Sequence, residues 1–109
     1  MNFKAYQVAV LMLEAARPQI AALRRVNADL SDQMERAATS VLLNIAEGSR
    51  RQGKDRTFHF RVADGSNAEV RAELDAAVAL GQLDDAAAAP ARELLDRCAA
   101  ILWRLTHPR

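Results

Sequence analysis

The residues best suited to chemistry are an amide and a carboxylate set into an apolar segment. Asn44 and Glu47 lie three residues apart in S-V-L-L-N-I-A-E-G, residues 40–48. They belong to a longer series whose spacings of three and four place every member on one side of a helix. The series comprises Gln33, Arg36, Ser40, Asn44 and Glu47. Because Leu43 flanks this polar stripe opposite the main apolar face, we expect the stripe to be partly buried.

The next predicted helix carries a counterpart to the polar stripe. Ser66, Glu69 and Glu73 share a side with Phe58 and Val62. Buried polar groups require partners, so we expect a structural network that fixes the register of the two helices. Its expected pairs are Arg36 with Glu47 or Glu69, and Asn44 or Ser40 with Ser66. The predicted network comprises Gln33, Arg36, Ser40, Asn44, Glu47, Ser66 and Glu69.

A carboxylate metal centre of the ferritin-like kind is the alternative interpretation of the same residues. Such centres use Glu-x-x-His pairs on facing helices. The residues that stand three positions after each glutamate are Arg17, Ala38, Arg50, Ala72, Ala76 and Asp96. The two histidines, His59 and His107, stand at the start of the third helix and in the tail. We therefore predict no metal site and no cofactor.

Other catalytic motifs are also missing from the sequence. It contains no Gly-rich phosphate loop, no H-E-x-x-H motif and no nucleophile elbow. Cys98 is the single cysteine and lies among leucines, so we expect it to be buried as a small apolar side chain. We predict no catalytic residues and a protein that is not an enzyme.

Composition indicates one helical domain. The chain has 109 residues, half of them apolar, which is enough to bury a core, and we take residues 1–109 as a single domain. Alanine is abundant and β-branched residues are few, which favours helix. No apolar run approaches the ~18 residues of a membrane span, and no secretory segment is apparent. We therefore expect a cytoplasmic protein.

Four helices are predicted from the spacing of apolar residues. They span about residues 3–25, 30–50, 55 or 56–80, and 86–106. We expect Asn2 to cap the first helix and Pro18 to kink it. Either Asp84 or Asp85 caps the fourth helix, or Pro90 marks its effective first turn. Gly65 inside the third helix costs roughly 1 kcal/mol against alanine, which close approach of a neighbouring helix would explain. Short connections between long helices predict an all-α, antiparallel up-down four-helix bundle.

The charges are divided between a basic and an acidic segment. Residues 48–61 are basic, with Asp55 their one acidic residue, whereas residues 62–96 are strongly acidic. The candidate nucleic-acid-binding residues are Arg50, Arg51, Lys54, Arg56 and Arg61, with Arg24 and Arg25 as further members. Such cations give sequence-independent contacts to phosphates. Because no interleaved aromatic residues indicate base stacking, RNA or DNA backbone would be the target. An ordinary solvated turn is the alternative.

Two blocks of sequence resemble a known family. Residues 33–48, Q-M-E-R-A-A-T-S-V-L-L-N-I-A-E-G, are similar to its signature Q-x-x-R-A-x-x-S-I-x-x-N-I-A-E-G. Residues 60–69, F-R-V-A-D-G-S-N-A-E, are similar to its F-x-x-A-x-G-S-x-x-E block. The family is the "four helix bundle protein" family, first recognised as reading frames in intervening sequences of bacterial 23S rRNA genes.

The resemblance implies a fold and an assembly more than an activity. It implies a four-helix bundle that forms a homo-oligomer, specifically a homopentamer. The related accessory variability determinant proteins of diversity-generating retroelements are basic bundles that bind nucleic acid and a reverse transcriptase. This chain departs from them because its net charge is only +1.

Two hypotheses for function follow. The first is a non-enzymatic homo-oligomer that binds RNA or DNA backbone through the turn between the second and third helices. The second is a self-assembling interaction module in which the basic segment of one subunit meets the acidic segment of the next. The acidic residues of this second hypothesis are Glu69, Glu73, Asp75, Asp84 and Asp85. Trp103 is either a further interface residue or part of the core. Neither hypothesis involves a membrane.

Overall fold

The computed structural model describes residues 3–108 and is built from four helices. They are α1 (Lys4–Arg24), α2 (Ala28–Ser49), α3 (Gly53–Ala79) and α4 (Asp85–Thr106). Each helix packs against the next, and α4 packs against α1, so the four close into a bundle of 42 × 22 × 21 Å. No strand occurs in residues 3–108. The predicted all-α, up-down four-helix bundle is confirmed.

Short polar residues and glycine set the helix ends. The Asn27 side chain caps α2 by accepting a hydrogen bond from the Leu30 backbone at 3.1 Å, and Asp84 caps α4 as predicted. Gly81 follows α3 at a φ of +72°, a left-handed conformation that favours glycine. Phe3 occupies the N-cap position of α1, and Asn2, the expected cap, lies outside the described residues.

Pro18 does not break α1, which continues to Arg24. The ring points to solvent, while the neighbouring Gln19 is buried and its Nε2 donates to the Ala87 carbonyl oxygen at 3.0 Å. This hydrogen bond ties α1 to the first turn of α4 immediately after the proline. The helix thus tolerates the missing proline N–H where a tertiary contact holds the next residue.

The core is formed by large apolar side chains from all four helices. They include Met12, Leu23, Met34, Ile45, Phe60, Leu74, Leu95 and Leu102. Cys98 is buried among them, as predicted. The predicted face of α3 is wrong at Phe58, which is 59% exposed, whereas Phe60 is buried. Asn67 and Glu73 occupy core-facing positions of α3, so apolar spacing alone assigned the wrong face.

The explanation offered for Gly65 is also wrong. A Cβ atom at Gly65 would meet no neighbouring atom within 4 Å, so no helix approaches there. The close approach occurs instead at Gly48, which lies against Phe60 where α2 ends and α3 begins. The glycine of the N-I-A-E-G segment therefore serves packing, and Gly65 is left without a structural reason in the bundle.

Candidate functional site

A polar network joins α2 to α3 along the edge of their interface. The hydroxyl oxygens of Ser40 and Ser66 are 2.9 Å apart, which confirms that expected pair. The Asn44 amide nitrogen donates to the Ser40 carbonyl oxygen at 3.0 Å and to its hydroxyl oxygen at 3.1 Å. These half-buried contacts fix the register of the two helices, since shifting either helix would separate the partners.

His59 extends the network and was missed by the sequence interpretation. Its Nδ1 lies 3.1 Å from Asn44 Oδ1, and because that oxygen can only accept, Nδ1 must donate. The imidazole also meets the Phe58 ring edge-on, with centroids 5.3 Å apart at 77°. A signal was present in the sequence: His59 stands two helical turns before Ser66 and therefore shares its side of α3.

The rest of the predicted stripe lies at the surface. Leu43 is 60% exposed, so it does not wall the stripe, and Gln33 and Arg36 are exposed as well. Glu47 does not pair with Arg36 but with Arg51, at 2.8 Å. The arginine hydrogen bond lowers the pKa of the Glu47 carboxyl. Glu47 pairs with Arg51 and not with Arg36 because Arg51 follows it by only four residues.

Glu73 is the unusual carboxyl group of the interface. It is only 6% exposed, and neither carboxyl oxygen has a hydrogen-bond partner among the described residues. Burial raises the pKa of Glu73 from 4.5 to about 7, the nearby Glu69 adds to the rise, and Arg36 opposes it. Arg36 forms no ion pair within 4 Å with Glu69 in the part of the chain that the structure describes. The expected Arg36–Glu69 pair is therefore wrong.

Five basic residues lie in the turn between α2 and α3 and in the first turns of α3, and two of them are engaged within the protein. Arg51 bridges Glu47 and Asp55, the latter at 2.7 Å. Arg56 lies with its guanidinium carbon 4.9 Å from the centre of the Phe60 ring, and Nη1 is 3.4 Å from the Gly48 carbonyl oxygen. Arg56 thus covers the C-terminal carbonyls of α2 and the buried ring beneath them.

The other three, Arg50, Lys54 and Arg61, are exposed. Lys54 and Arg61 form no ion pair within 4 Å with another described residue. Arg50 has one distant contact, 3.8 Å from Glu47. Between Lys54 and Arg61 lies the exposed ring of Phe58. An open surface groove on the outer side of α3 is lined by Gly53, Lys54, Thr57, Phe58 and Arg61.

Arg24 and Arg25 lie far from this groove. They lie at the end of α1, beside the start of α2. Arg50 lies at the other end of α2, which has 22 residues and is about 33 Å long. Arg24 is also paired, at 2.7 Å from Glu35 and 3.8 Å from Asp32. The structure therefore brings five of the seven predicted binding residues together and leaves these two at the opposite end of the bundle.

Three of the eight carboxylates in the acidic segment form ion pairs with arginines: Asp75, Asp85 and Asp96. Arg92 bridges Asp75 and Asp85, and Arg71 bridges Asp75 and Asp96. The contacts of Arg92 with Asp75 and of Arg71 with Asp96 join α3 to α4. Residues 3–108 contain no group of three or more His, Cys, Asp or Glu side chains placed to hold a metal ion. None of the helices in that range is long and apolar enough to cross a membrane.

The comparison with protein families settles the relationship. A family model described as "23S rRNA-intervening sequence protein" matches residues 2–104. The chain belongs to this family. The search of curated proteins finds no match.

The two sequence blocks typical of the 23S rRNA-intervening sequence protein family meet in the structure. Ser40 of the first block bonds to Ser66 of the second, and Gly48 of the first packs on Phe60 of the second. Both contacts lie at the interface of α2 and α3. In this member of the family, residues of the two blocks therefore hold one helix pair together. The exposed Arg50 and Lys54 lie between the blocks, and Arg61 lies in the second block.

Proposed function

We propose that this member of the 23S rRNA-intervening sequence protein family is a non-enzymatic protein that binds the backbone of RNA or DNA. The observation that carries the proposal is the set of exposed cations around the turn between α2 and α3. Arg50, Lys54 and Arg61 are exposed. Lys54 and Arg61 also lack an ion-pair partner among the described residues. Unpaired cations can exchange their counterions for phosphates without first breaking an internal salt bridge.

Further basic residues stand at the same end of the bundle. The Phe3 ring stacks on Phe60 at 6.0 Å, which places the start of α1 beside the turn. Lys4 is the first residue of α1 and is exposed, and Arg104 is exposed in the last turn of α4. The acidic residues bridged by Arg71 and Arg92 lie in the other half of α3 and in α4, whereas Glu47 and Asp55 at the basic end are both bridged by Arg51. The bundle is thus basic at one end, as a site for phosphates requires.

A binding experiment across a salt series tests the proposal. Fluorescence anisotropy would follow labelled RNA and DNA, single-stranded and duplex, titrated with the protein. The logarithm of the affinity should fall linearly with the logarithm of salt concentration, with a slope of roughly −0.9 per phosphate contacted on duplex. The double variant Lys54→Glu/Arg61→Glu should lose most of the binding.

Arg25→Glu is the matched control, because Arg25 is an exposed arginine at the opposite end of the bundle. Its affinity should stay within about twofold of the wild type at moderate salt, where charges more than about 10 Å apart are largely screened. Absence of binding at low salt, or binding that does not change with salt, would overturn the proposal. So would an equal loss of affinity in the control variant.

Self-assembly is the second candidate function, and exposed apolar side chains favour it. Leu43 on α2 is 60% exposed and Trp103 on α4 is 57% exposed, the latter stacked on His107 at 4.4 Å. Tryptophan is enriched at protein–protein interfaces, so Trp103 is a candidate for burial between subunits, with Leu43 as a second exposed apolar side chain. The family resemblance supports a homopentamer. Contacts from the acidic segment support it less, because Glu73 is buried and Asp75 and Asp85 are bridged by Arg92.

Light scattering tests the assembly. The wild type should have a mass several times that of the 12.0 kDa chain. Leu43→Ser/Trp103→Ser should reduce that mass if these side chains are buried between subunits, and Arg50→Glu/Arg51→Glu should reduce it if the basic segment is the contact. Val26→Ser is the control, because Val26 is an exposed apolar residue in the turn between α1 and α2. A monomeric wild type would refute this candidate while leaving nucleic-acid binding open.

A further inference from the structure

We infer that the outer face of the first turns of α3 is a base-stacking site for single-stranded nucleic acid. Phe58 is the stacking platform, and Lys54 and Arg61 contact the flanking phosphates. The inference rests on the proposed function, and it narrows the ligand from any nucleic-acid backbone to strands whose bases are unpaired.

The spacing of the residues builds this site on one helix. Positions 54, 57, 58 and 61 follow the i, i+3, i+4, i+7 pattern, which places Lys54, Thr57, Phe58 and Arg61 on the same face of α3. That face points away from the core, which α3 meets through Phe60 and Ala63. The four residues and Gly53 line one groove. A base on the ring would thus have a cation on each side along the helix.

The packing of the four helices gives no reason for the exposure of Phe58. The ring is 59% exposed, although Phe60, two residues later, is fully buried. Leaving a phenyl ring in water forfeits free energy that burial would supply. Every base has a face that can stack on an aromatic ring, and cations beside the ring attract the phosphates. An exposed aromatic residue between two unpaired cations is the combination that single-strand binding uses.

The polar network beneath the ring supports its orientation. The His59 ring meets the Phe58 ring edge-on, and His59 Nδ1 donates to Asn44, whose amide donates to Ser40. Each link reduces the freedom of the next, so the ring is held before any ligand arrives. Holding a binding side chain in advance lowers the entropy lost on binding. The network therefore acts on Phe58 as a set of positioning residues.

Gly65 fits the same interpretation. It lies one helical turn beyond Arg61 on the outer face, and a Cβ atom there would meet nothing within 4 Å. A glycine inside a helix costs roughly 1 kcal/mol against alanine, and no packing in the bundle compensates for it. The absent side chain leaves the backbone uncovered beside the groove, which permits close approach of a ligand strand.

Single strands and duplexes should respond differently to removal of the ring. Bases in a duplex already stack on one another, so only unpaired bases are free to stack on Phe58. Phe58→Ala should weaken binding to a single strand about tenfold and leave binding to the matched duplex unchanged. Phe58→Tyr should retain the single-strand affinity. Leu80→Ala is the control, since Leu80 is a similarly exposed apolar residue at the opposite end of α3.

The experiment measures anisotropy with a labelled uridine-rich strand and its duplex at one salt concentration, with light scattering of every variant. A second reading uses Phe58→Trp/Trp103→Phe, in which the one tryptophan sits in the groove; its emission should be quenched by the single strand and not by the duplex. Equal losses on both ligands, no loss, or a changed mass of Phe58→Ala would overturn the inference. Salt-dependent duplex binding would then still uphold the proposed function, whereas absence of all binding would refute both.

Discussion

Gly48 and Phe60 are in such close contact that no side chain fits between them. A Cβ atom at position 48 would lie 2.7 Å from Cε1 and 2.8 Å from Cδ1 of the phenyl ring, and 3.3 Å from the Arg56 carbonyl oxygen. The contact brings the last turn of α2 onto the first turns of α3. The same contact holds the Phe60 ring beneath the Arg56 guanidinium. Gly48 therefore fixes the position of the basic turn relative to the rest of the bundle.

Replacing Gly48 should therefore destabilise the protein, and replacing Gly65 should stabilise it. For Gly48→Ala we expect a loss of about 1–3 kcal/mol in the free energy of unfolding, because the buried ring must move. For Gly65→Ala we expect a gain of about 0.5–1 kcal/mol, because the new methyl group meets open space within a helix. Urea denaturation of both variants measures the difference. Stabilisation by Gly48→Ala would show that the ring is not held as described.

The hydroxyl pair at the middle of the helix interface should show energetic coupling. Ser40→Ala and Ser66→Ala each leave the other hydroxyl without its partner across the interface. A double-mutant cycle measured by urea denaturation should give a coupling of about 0.5–1.5 kcal/mol, the usual net contribution of one hydrogen bond. Ser49→Ala, outside this pair, should show no coupling to Ser66→Ala. Additive effects of the two serine variants would contradict the contact.

The number of helices, their order and the cap by Asp84 could be predicted because they depend on local spacing and local hydrogen bonds. The Ser40–Ser66 pair could also be predicted, since each serine repeats with other polar residues along one helix face. The inward face of α3 could not. The polar Asn67 on this face is buried, and its side chain donates to the Leu95 carbonyl oxygen at 2.9 Å. No pattern in the sequence indicates that Asn67 has this partner on α4.

Only part of the candidate site could be predicted from the sequence, because contacts between distant residues are again not evident there. The basic residues were apparent from composition, but sequence cannot distinguish a free cation such as Lys54 from one engaged across a turn, such as Arg56 with Phe60. Apolar spacing placed Phe58 on the same side of α3 as Val62, because the buried polar residues Asn67 and Glu73 interrupt the apolar face that α3 turns to the core. The exposed Phe58 is thus a finding of the structure.

The single thiol should be unreactive in the folded protein. Burial raises the pKa of Cys98 from 9.0 to about 11, with Arg97 opposing the shift. Because the thiolate is the reacting form, an aromatic disulfide reagent at pH 8 should modify the native protein at least about 100-fold more slowly than the urea-unfolded chain. The native rate should rise with urea in step with unfolding. Rapid modification without urea would show that α4 opens locally around the thiol.

Glu73 should make the protein less stable as pH rises. The ordinary pKa of 4.5 applies to the unfolded chain, whereas burial raises the pKa of the folded carboxyl to about 7. Between these values the folded state binds more protons at Glu73 than the unfolded state, so the contribution of Glu73 to stability is fully present below about pH 4.5 and is lost as pH rises through 7. Glu73→Gln removes this dependence. The variant should be more stable than wild type by roughly 1–3 kcal/mol at pH 8 and closer to it at pH 5.

Urea denaturation at both pH values measures this difference, with Glu14→Gln as the control because Glu14 is exposed. That control should leave the pH dependence of the wild type unchanged. Arg36→Ala provides a further check: the Arg36 charge opposes the shift at Glu73, so its removal should steepen the loss of stability toward pH 8. If Glu73→Gln and the wild type keep the same difference in stability from pH 5 to pH 8, the carboxyl group is solvated and the interface between α2 and α3 is more open than described.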